Sequence, residues 1–275
     1  MRVFELGSLN HRIVWGDCTS PEVQNALWGG QGEQAVDLVV TDPPYGVKLH
    51  KPSCKIDHPV YSHKIANDDR EIDDLLEWER QIVVPLMEHS KGAAWYVFVP
   101  WGHITDNIIF YRELGFQSDQ LLTWIKKRPT LTWKEYQLQT EQILFLVNGS
   151  LKHKNKLRTN ATAIFGPAPM HLKWGSTRRE LHPCAKPVEL LERFILNHSK
   201  KGETVCDPFI GGGSTLAACE RTGRRCIGAE LSGKFLSYLF RGFSLFSEKE
   251  PIFEVVEGER IPRTLEEIEN ILSTD

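Results

Sequence analysis

The chain has 275 residues, 41% of them hydrophobic, and a formal net charge of -3, enough to bury the core of one large domain with insertions. No stretch approaches the ~20 apolar residues of a membrane span and the start, MRVFELGSLNHRIVWGD, has no apolar signal segment, so the expected location is cytoplasmic. Six cysteines (Cys18, Cys54, Cys184, Cys206, Cys219, Cys226) lie far apart with no CxxC pair, which excludes a disulfide framework and a cysteine zinc site.

In chain order, short apolar runs alternate with helical patterns. Ile13 to Trp15 reads as a first strand, and Leu38 to Thr41, within DLVVT, as a second, buried one. The second leads directly into Asp42, Pro43, Pro44 and Tyr45, which predict a tight, rigid exit from a sheet. Residues 48–66 are polar, with two prolines and three histidines (His50, His58, His63), and are predicted to form a mobile loop. The irregular histidine spacing near Cys54 argues against a metal site there. Ile72, Leu75, Leu76, Trp78, Ile82 and Val83 have helical spacing, and Ala93 to Val99 is an apolar strand. Leu121 to Ile125 and Ile143 to Val147 have no helical repeat between them, so they predict an antiparallel hairpin at one sheet edge. Residues 151–182 lack periodicity and read as an insertion carrying recognition. Val188, Leu191, Phe194 and Ile195 predict a helix, Thr204 to Cys206 and Cys226 to Ala229 two more strands, and Thr264 with Glu267 the capping box of a last helix. This alternation predicts an α/β fold, a three-layer sandwich around a mostly parallel sheet.

Charge is spread unevenly. From Leu121 to Glu180 eleven Lys/Arg face three acids, whereas Phe243 to Asp275 holds nine acids and three bases. A local basic face suits a polyanion even when the total charge is negative.

The most informative run is ETVCDPFIGGGSTLAACERTGRRCIGAEL, Glu203 to Leu231. A strand ending at Asp207, a glycine triplet, a helix opening at Ser214 or Thr215 and a strand ending at Glu230 make a βαβ unit. Its glycines let a ligand approach the backbone at the carboxyl edge of the sheet. Glu230 falls 19 residues after Gly211, close to the spacing at which an acid accepts hydrogen bonds from ribose hydroxyls. A P-loop lysine and a GxGxxG pattern are both absent. With Asp207 ahead of the glycines, a cationic adenosine-containing ligand fits better than a pyrophosphate, and S-adenosyl-L-methionine is the candidate.

Together, DPPY at 42–45 and DPFIGGGST at 207–215 resemble the motifs of the DNA amino-methyltransferases, and the resemblance extends in weaker form over most of the chain. The order, catalytic motif first and cofactor motif last, is similar to the circularly permuted β-class. The resemblance implies a Rossmann-like methyltransferase fold in a single domain, 1–275. Lys186 and Pro187, within HPCAKPVELLERF, are similar to the segment before the cofactor strand. Gly16, Asp17 and Cys18 resemble the loop that holds the adenine ring of the cofactor. The implied cofactor residues are Asp17, Cys18, Lys186, Asp207, Pro208, Phe209, Gly211, Gly213, Ser214, Thr215, Glu230 and Leu231. Residues 126–181 occupy the slot of the target-recognition region, with Lys126, Lys127, Arg128, Lys152, Lys154, Arg178 and Arg179 as implied DNA contacts.

What this resemblance implies is transfer of a methyl group to N6 of adenine in double-stranded DNA, by base flipping and direct in-line displacement. Asp42 and the Pro43 carbonyl would accept hydrogen bonds from the exocyclic amine, the prolines would fix both acceptors, and Tyr45 would stack on the extruded base. The nearest alternative is cytosine N4, although a serine in place of Asp42 is commoner in relatives that methylate it. More distant are RNA or protein N-methyltransferases, which often carry asparagine there, and a non-catalytic DNA-binding scaffold, which needs neither motif intact. Pro183-Cys184 matches the dipeptide of enzymes that attack carbon 5 of cytosine through a thiolate, but it lies on the cofactor side of the resemblance. The implied partners are double-stranded DNA, a second copy of the chain and a cognate restriction endonuclease, in a prokaryotic or phage setting.

Overall fold

Strands that are apolar throughout need helical cover on both faces. The structure, a computed structural model describing residues 1–29, 36–46, 66–130, 135–153, 162–165, 185–247 and 250–273, provides that cover. The first half of the chain forms β1 (Arg2–Leu6), β2 (His11–Trp15), α1 (Pro21–Gln24), β3 (Leu38–Thr41), α2 (Ile72–His89), β4 (Ala94–Val99) and α3 (Ile104–Glu113). A long hairpin of β5 (Gln117–Thr130) and β6 (Leu138–Val147) follows, then the short β7 (Ala163–Phe165). The remainder is α4 (Val188–His198), β8 (Thr204–Asp207), α5 (Ser214–Thr222), β9 (Arg225–Glu230), α6 (Gly233–Phe246), β10 (Ile252–Val256), β11 (Glu259–Arg263) and α7 (Leu265–Ser273). No helix among the described residues is long and apolar enough to cross a membrane.

All described strands join one sheet in the order β11-β10-β1-β2-β9-β8-β3-β4-β6-β5-β7. Its centre, β2-β9-β8-β3-β4, is parallel, and every residue of β3, β4 and β8 is buried. The period of two in β4 divides its side chains between two cores. Tyr96 and Phe98 meet α4, where Tyr96 stacks on Phe194 at 4.2 Å, while Trp95 and Val97 join the apolar residues of α2 and α3. Residues of α4, α5, α6 and α7 fill the first core and those of α1, α2 and α3 the second, which makes the three layers expected from the alternation.

The antiparallel hairpin is present, but the edge position belongs to β7, which pairs parallel with β5. The segment 151–182, read as an insertion without periodicity, therefore contributes a strand to the sheet. At the opposite end β1, β10 and β11 add three antiparallel pairings that the apolar pattern did not announce. The reason is local neutralisation. Glu254 of β10 is only 2% exposed and takes both Arg2 and Arg263, at 2.5 and 2.8 Å. Burial pushes its carboxyl up, but the two guanidiniums more than offset this and hold it below the usual range. Glu254→Ala strands two partly exposed arginines, so chemical denaturation should register a loss of about 2 kcal/mol; a change within error would show that the cluster contributes nothing. The capping box at α7 also forms, with Glu267 N–H donating to Thr264 Oγ1 at 3.2 Å and Thr264 N–H to Glu267 Oε2 at 2.7 Å.

Candidate active site

Four parallel strands end at one edge of the sheet, and the turns leaving β2, β3, β8 and β9 converge there on a single cleft. Sequence-predicted residues from both motifs line it: Asp17 and Cys18 after β2, Asp42, Pro43, Pro44 and Tyr45 after β3, Asp207 at the end of β8 with Pro208, Phe209 and Gly211 after it, Ser214 and Thr215 at the start of α5, and Glu230 at the end of β9 with Leu231 after it. Lys186, just ahead of α4, joins them, whereas Gly213 does not reach the cleft wall. Gly213 serves the turn itself. Its φ is +88°, in the left-handed region, and a Cβ there would stand 2.9 Å from the Leu239 side chain. Of the predicted loop, residues 48–65 lie outside the described residues, as do Cys54, Pro183, Cys184, Lys154, Arg178 and Arg179.

Asp207 is buried and fully engaged. Its Oδ1 accepts from Thr41 Oγ1 at 3.0 Å and Phe209 N–H at 3.1 Å, and its Oδ2 from Thr215 Oγ1 at 2.6 Å. Burial pushes this carboxyl up to about 6 against those hydrogen bonds. The acid thus braces the glycine turn against β3 and α5 rather than presenting open oxygens to a ligand. Glu230 differs in using backbone donors only: Oε2 accepts from Gly211 N–H at 3.1 Å and Oε1 from Ser232 N–H at 2.6 Å. Each oxygen keeps lone-pair capacity for a further donor, and burial pushes the carboxyl up to about 7. Asp17 turns the chain after β2 by accepting from the Thr19 N–H and hydroxyl at 2.9 and 2.8 Å, which places Cys18 against the cleft; burial pushes the Cys18 thiol up.

At the other end of the cleft, Tyr45 donates its hydroxyl to Asp42 Oδ1 at 2.7 Å. Lys186 Nζ donates to Asp42 Oδ2 at 2.5 Å and lies 3.3 Å from Glu141 Oε2. Lys186 was grouped by sequence with the cofactor residues; its ammonium instead bonds the acid of the first motif, under the rings of Phe98 and Tyr45 at 4.9 and 5.5 Å. Burial pushes Asp42 up, Lys186 pulls it down and Glu141 pushes it up again, with a net rise. Glu141 is held low, because Lys186 and Lys126 outweigh its burial.

Glu141 is a site residue that the sequence reading missed, as are Asp68, Trp78 and Phe98, which line the cleft. Trp78 lies 5.6 Å from the Phe209 ring, so a helix-face aromatic of α2 becomes part of the apolar wall. An acid just ahead of the apolar run of β6, in a segment where bases outnumber acids eleven to three, was the available signal for Glu141.

Two of the implied DNA contacts need correction. Lys126 alternates inward with Leu122 and Trp124, is buried, and donates to Glu141 Oε1 at 3.0 Å, so its charge is spent inside the protein. Lys152 lies after β6, against Asp37 at 3.6 Å, and Asp37 precedes β3 while Asp42 follows it. That is the far edge of the sheet, roughly 17 Å from Asp42 at about 3.3 Å per residue. Lys127 and Arg128 are exposed, at the end of β5 that leads out on the cleft side.

A family model described as DNA methylase (N6_N4_Mtase) matches residues 36–241. The Type II methyltransferase M.HpaI of Haemophilus parainfluenzae is 25% identical over 244 residues, spanning 79% of this chain and 73% of its own. Among solved structures, the M1.HpyAVI-SAM complex has a TM-score of 0.60 at 24% identity, covering 83% of this chain and 98% of that one. The cytosine-N4-specific PvuII DNA methyltransferase has a TM-score of 0.64 at 14% identity, covering 95% and 90%. These two likenesses bear on the fold. The family match spans both motifs, the strands that carry them and the hairpin between, and on it the chain belongs to the N6/N4 family of DNA methylases.

Proposed function

We propose that the protein transfers a methyl group from S-adenosylmethionine to the N6 amine of adenine in double-stranded DNA. The observation that carries this reading is the shared cleft: Asp42 and Glu230 line one cavity, although 188 residues separate them in sequence. The residues present fit the cofactor. Glu230 offers acceptor capacity for a pair of ribose hydroxyls, Cys18, Trp78 and Phe209 supply apolar walls for a ring, and the start of α5 has the unpaired amides of a helix N-terminus for a carboxylate.

Bound there, S-adenosylmethionine supplies an activated methyl whose bonding electrons leave with sulfur. The chain's own residues must make a poor nucleophile competent. The amine lone pair of adenine is delocalised into the ring, and an acceptor on its protons favours rehybridisation and aims the lone pair outward. Asp42 is that acceptor, and it already binds a nitrogen donor in the form of Lys186. Tyr45 supplies a face for the flipped base and, through its hydroxyl, fixes the Asp42 rotamer. After transfer the cationic nitrogen loses one proton, which Asp42, as the acceptor of its hydrogen bond, is placed to take.

Aspartate at the first motif position favours adenine, following the resemblance. Cytosine N4 is the second reading, because the N6/N4 family to which the chain belongs spans both amines. Tritiated cofactor, unmethylated DNA and nucleoside separation distinguish the two. Label on N6-methyldeoxyadenosine supports the proposal, and label on N4-methyldeoxycytidine reassigns the base.

Two further results are expected. Ribose hydroxyls donate to the ionised form of Glu230, whose carboxyl stands at about 7 in the unliganded chain. Cofactor affinity should therefore rise as pH increases through 7, with protons released on binding; calorimetry in two buffers of different ionisation enthalpy counts them, and proton uptake would contradict this role. Replacing Lys127 and Arg128 by alanine should weaken DNA binding and flatten its salt dependence by about two counterions. An unchanged slope would place the DNA elsewhere.

A further inference from the structure

Both carboxylate oxygens of Asp42 already carry a donor. Its Oδ1 holds the Tyr45 hydroxyl and its Oδ2 the Lys186 ammonium. The second carboxylate within reach of that ammonium is Glu141, whose two oxygens are unequally used. Oε1 accepts from Lys126 at 3.0 Å, while the buried Oε2 lies 3.3 Å from Lys186 Nζ with no well-aligned hydrogen bond. Sheet register puts Glu141 there: it stands opposite Trp124 on β5, one step beyond the pair Val99–Gln142 that ends the β4–β6 ladder. The four groups carry two positive and two negative charges, so a shift of Lys186 from one acid to the other changes which acid is neutralised and leaves the total at zero. Phe98 and Tyr45 offer ring faces to the ammonium, which lowers the cost of such a shift.

We propose that Lys186 is a positioning residue that holds the amine seat on Asp42 until the target base arrives, and that Glu141 is the acceptor to which it then moves. The proposal rests on the reading of Asp42 as acceptor of the target amine, but not on whether that amine belongs to adenine or cytosine. In the resting chain the Lys186 ammonium favours the ionised form of a buried acid, and the entering amine replaces one nitrogen donor by another at the same oxygen. With Lys186 on Glu141, Asp42 recovers its full negative charge as the amine begins to develop positive charge.

The charged and titratable groups around Asp42 are Tyr45 beside it, Lys186 ahead of α4, Glu141 on β6, Asp207 on β8 and Asp68 in the same cleft. Removing one of them shifts the pH at which Asp42 ionises in a direction fixed by its charge. The test is the pH profile of single-turnover methyl transfer from tritiated S-adenosylmethionine to DNA. Lys186→Met should move the acidic limb upward by about one pH unit or more, since an opposite charge within ~4–6 Å is removed, and Lys186→Arg should bring it back. Glu141→Gln keeps the shape and an acceptor for Lys126 but deprives Lys186 of its second anion. It should move the limb downward and lower the rate about tenfold at saturating DNA, because Lys186 stays on Asp42. Limbs that coincide with wild type in both Lys186→Met and Glu141→Gln, with Asp42→Ala inactive, overturn this inference alone. Transfer that survives Asp42→Ala overturns the reading of Asp42 as well.

Discussion

Asp42→Ala should cut single-turnover methyl transfer to DNA about a thousandfold or more, within the range that positioned acid–base groups contribute. The variant removes the acceptor that orients the amine, and it also releases Lys186 and the Tyr45 hydroxyl from their shared partner. Asp42→Asn separates those effects. The amide keeps an acceptor oxygen but loses the charge, so it should retain more activity than alanine and less than wild type. A rate within tenfold of wild type in Asp42→Ala would mean that the amine is activated elsewhere.

The residues behind that prediction were legible in the sequence because both motifs sit at strand ends. The apolar runs before Asp42 and before Asp207 each define a buried parallel strand, and parallel strands end at a common edge. Convergence of the two turns on one cleft follows from topology. Side-chain partnerships do not. The bond between Lys186 and Asp42 joins positions 144 residues apart, and Glu141 enters the site only through the β4–β6 register. Lys126 was misread for a different reason: its charge was counted before its place in the alternation Leu122, Trp124, Lys126 was considered. The strands β10 and β11 stayed hidden because their inward face includes Glu254, whose burial becomes affordable only once Arg2 and Arg263 are folded against it.

Glu230→Ala should raise the dissociation constant for S-adenosylmethionine by about ten- to a hundredfold, as expected for losing one or two hydrogen bonds to a charged acceptor. Its carboxylate also ties Gly211 to Ser232, so part of the loss comes from a loosened turn. Glu230→Gln keeps an acceptor oxygen beside both amides and should show the smaller defect. At saturating cofactor, the single-turnover rate of Glu230→Gln should approach that of wild type. A rate defect that persists under saturation would move Glu230 from cofactor binding to the chemistry.

The central claim is a division of labour within one cleft, with the β8–α5–β9 turns holding the cofactor and the turn after β3 acting on the base. Calorimetric titration of S-adenosylmethionine into wild type and Asp42→Ala tests it most directly. The account predicts affinities within a few-fold of each other, because Asp42 bonds Tyr45 and Lys186 and takes no part in the glycine turn. Loss of cofactor binding in Asp42→Ala, with the fold intact by circular dichroism, would contradict it.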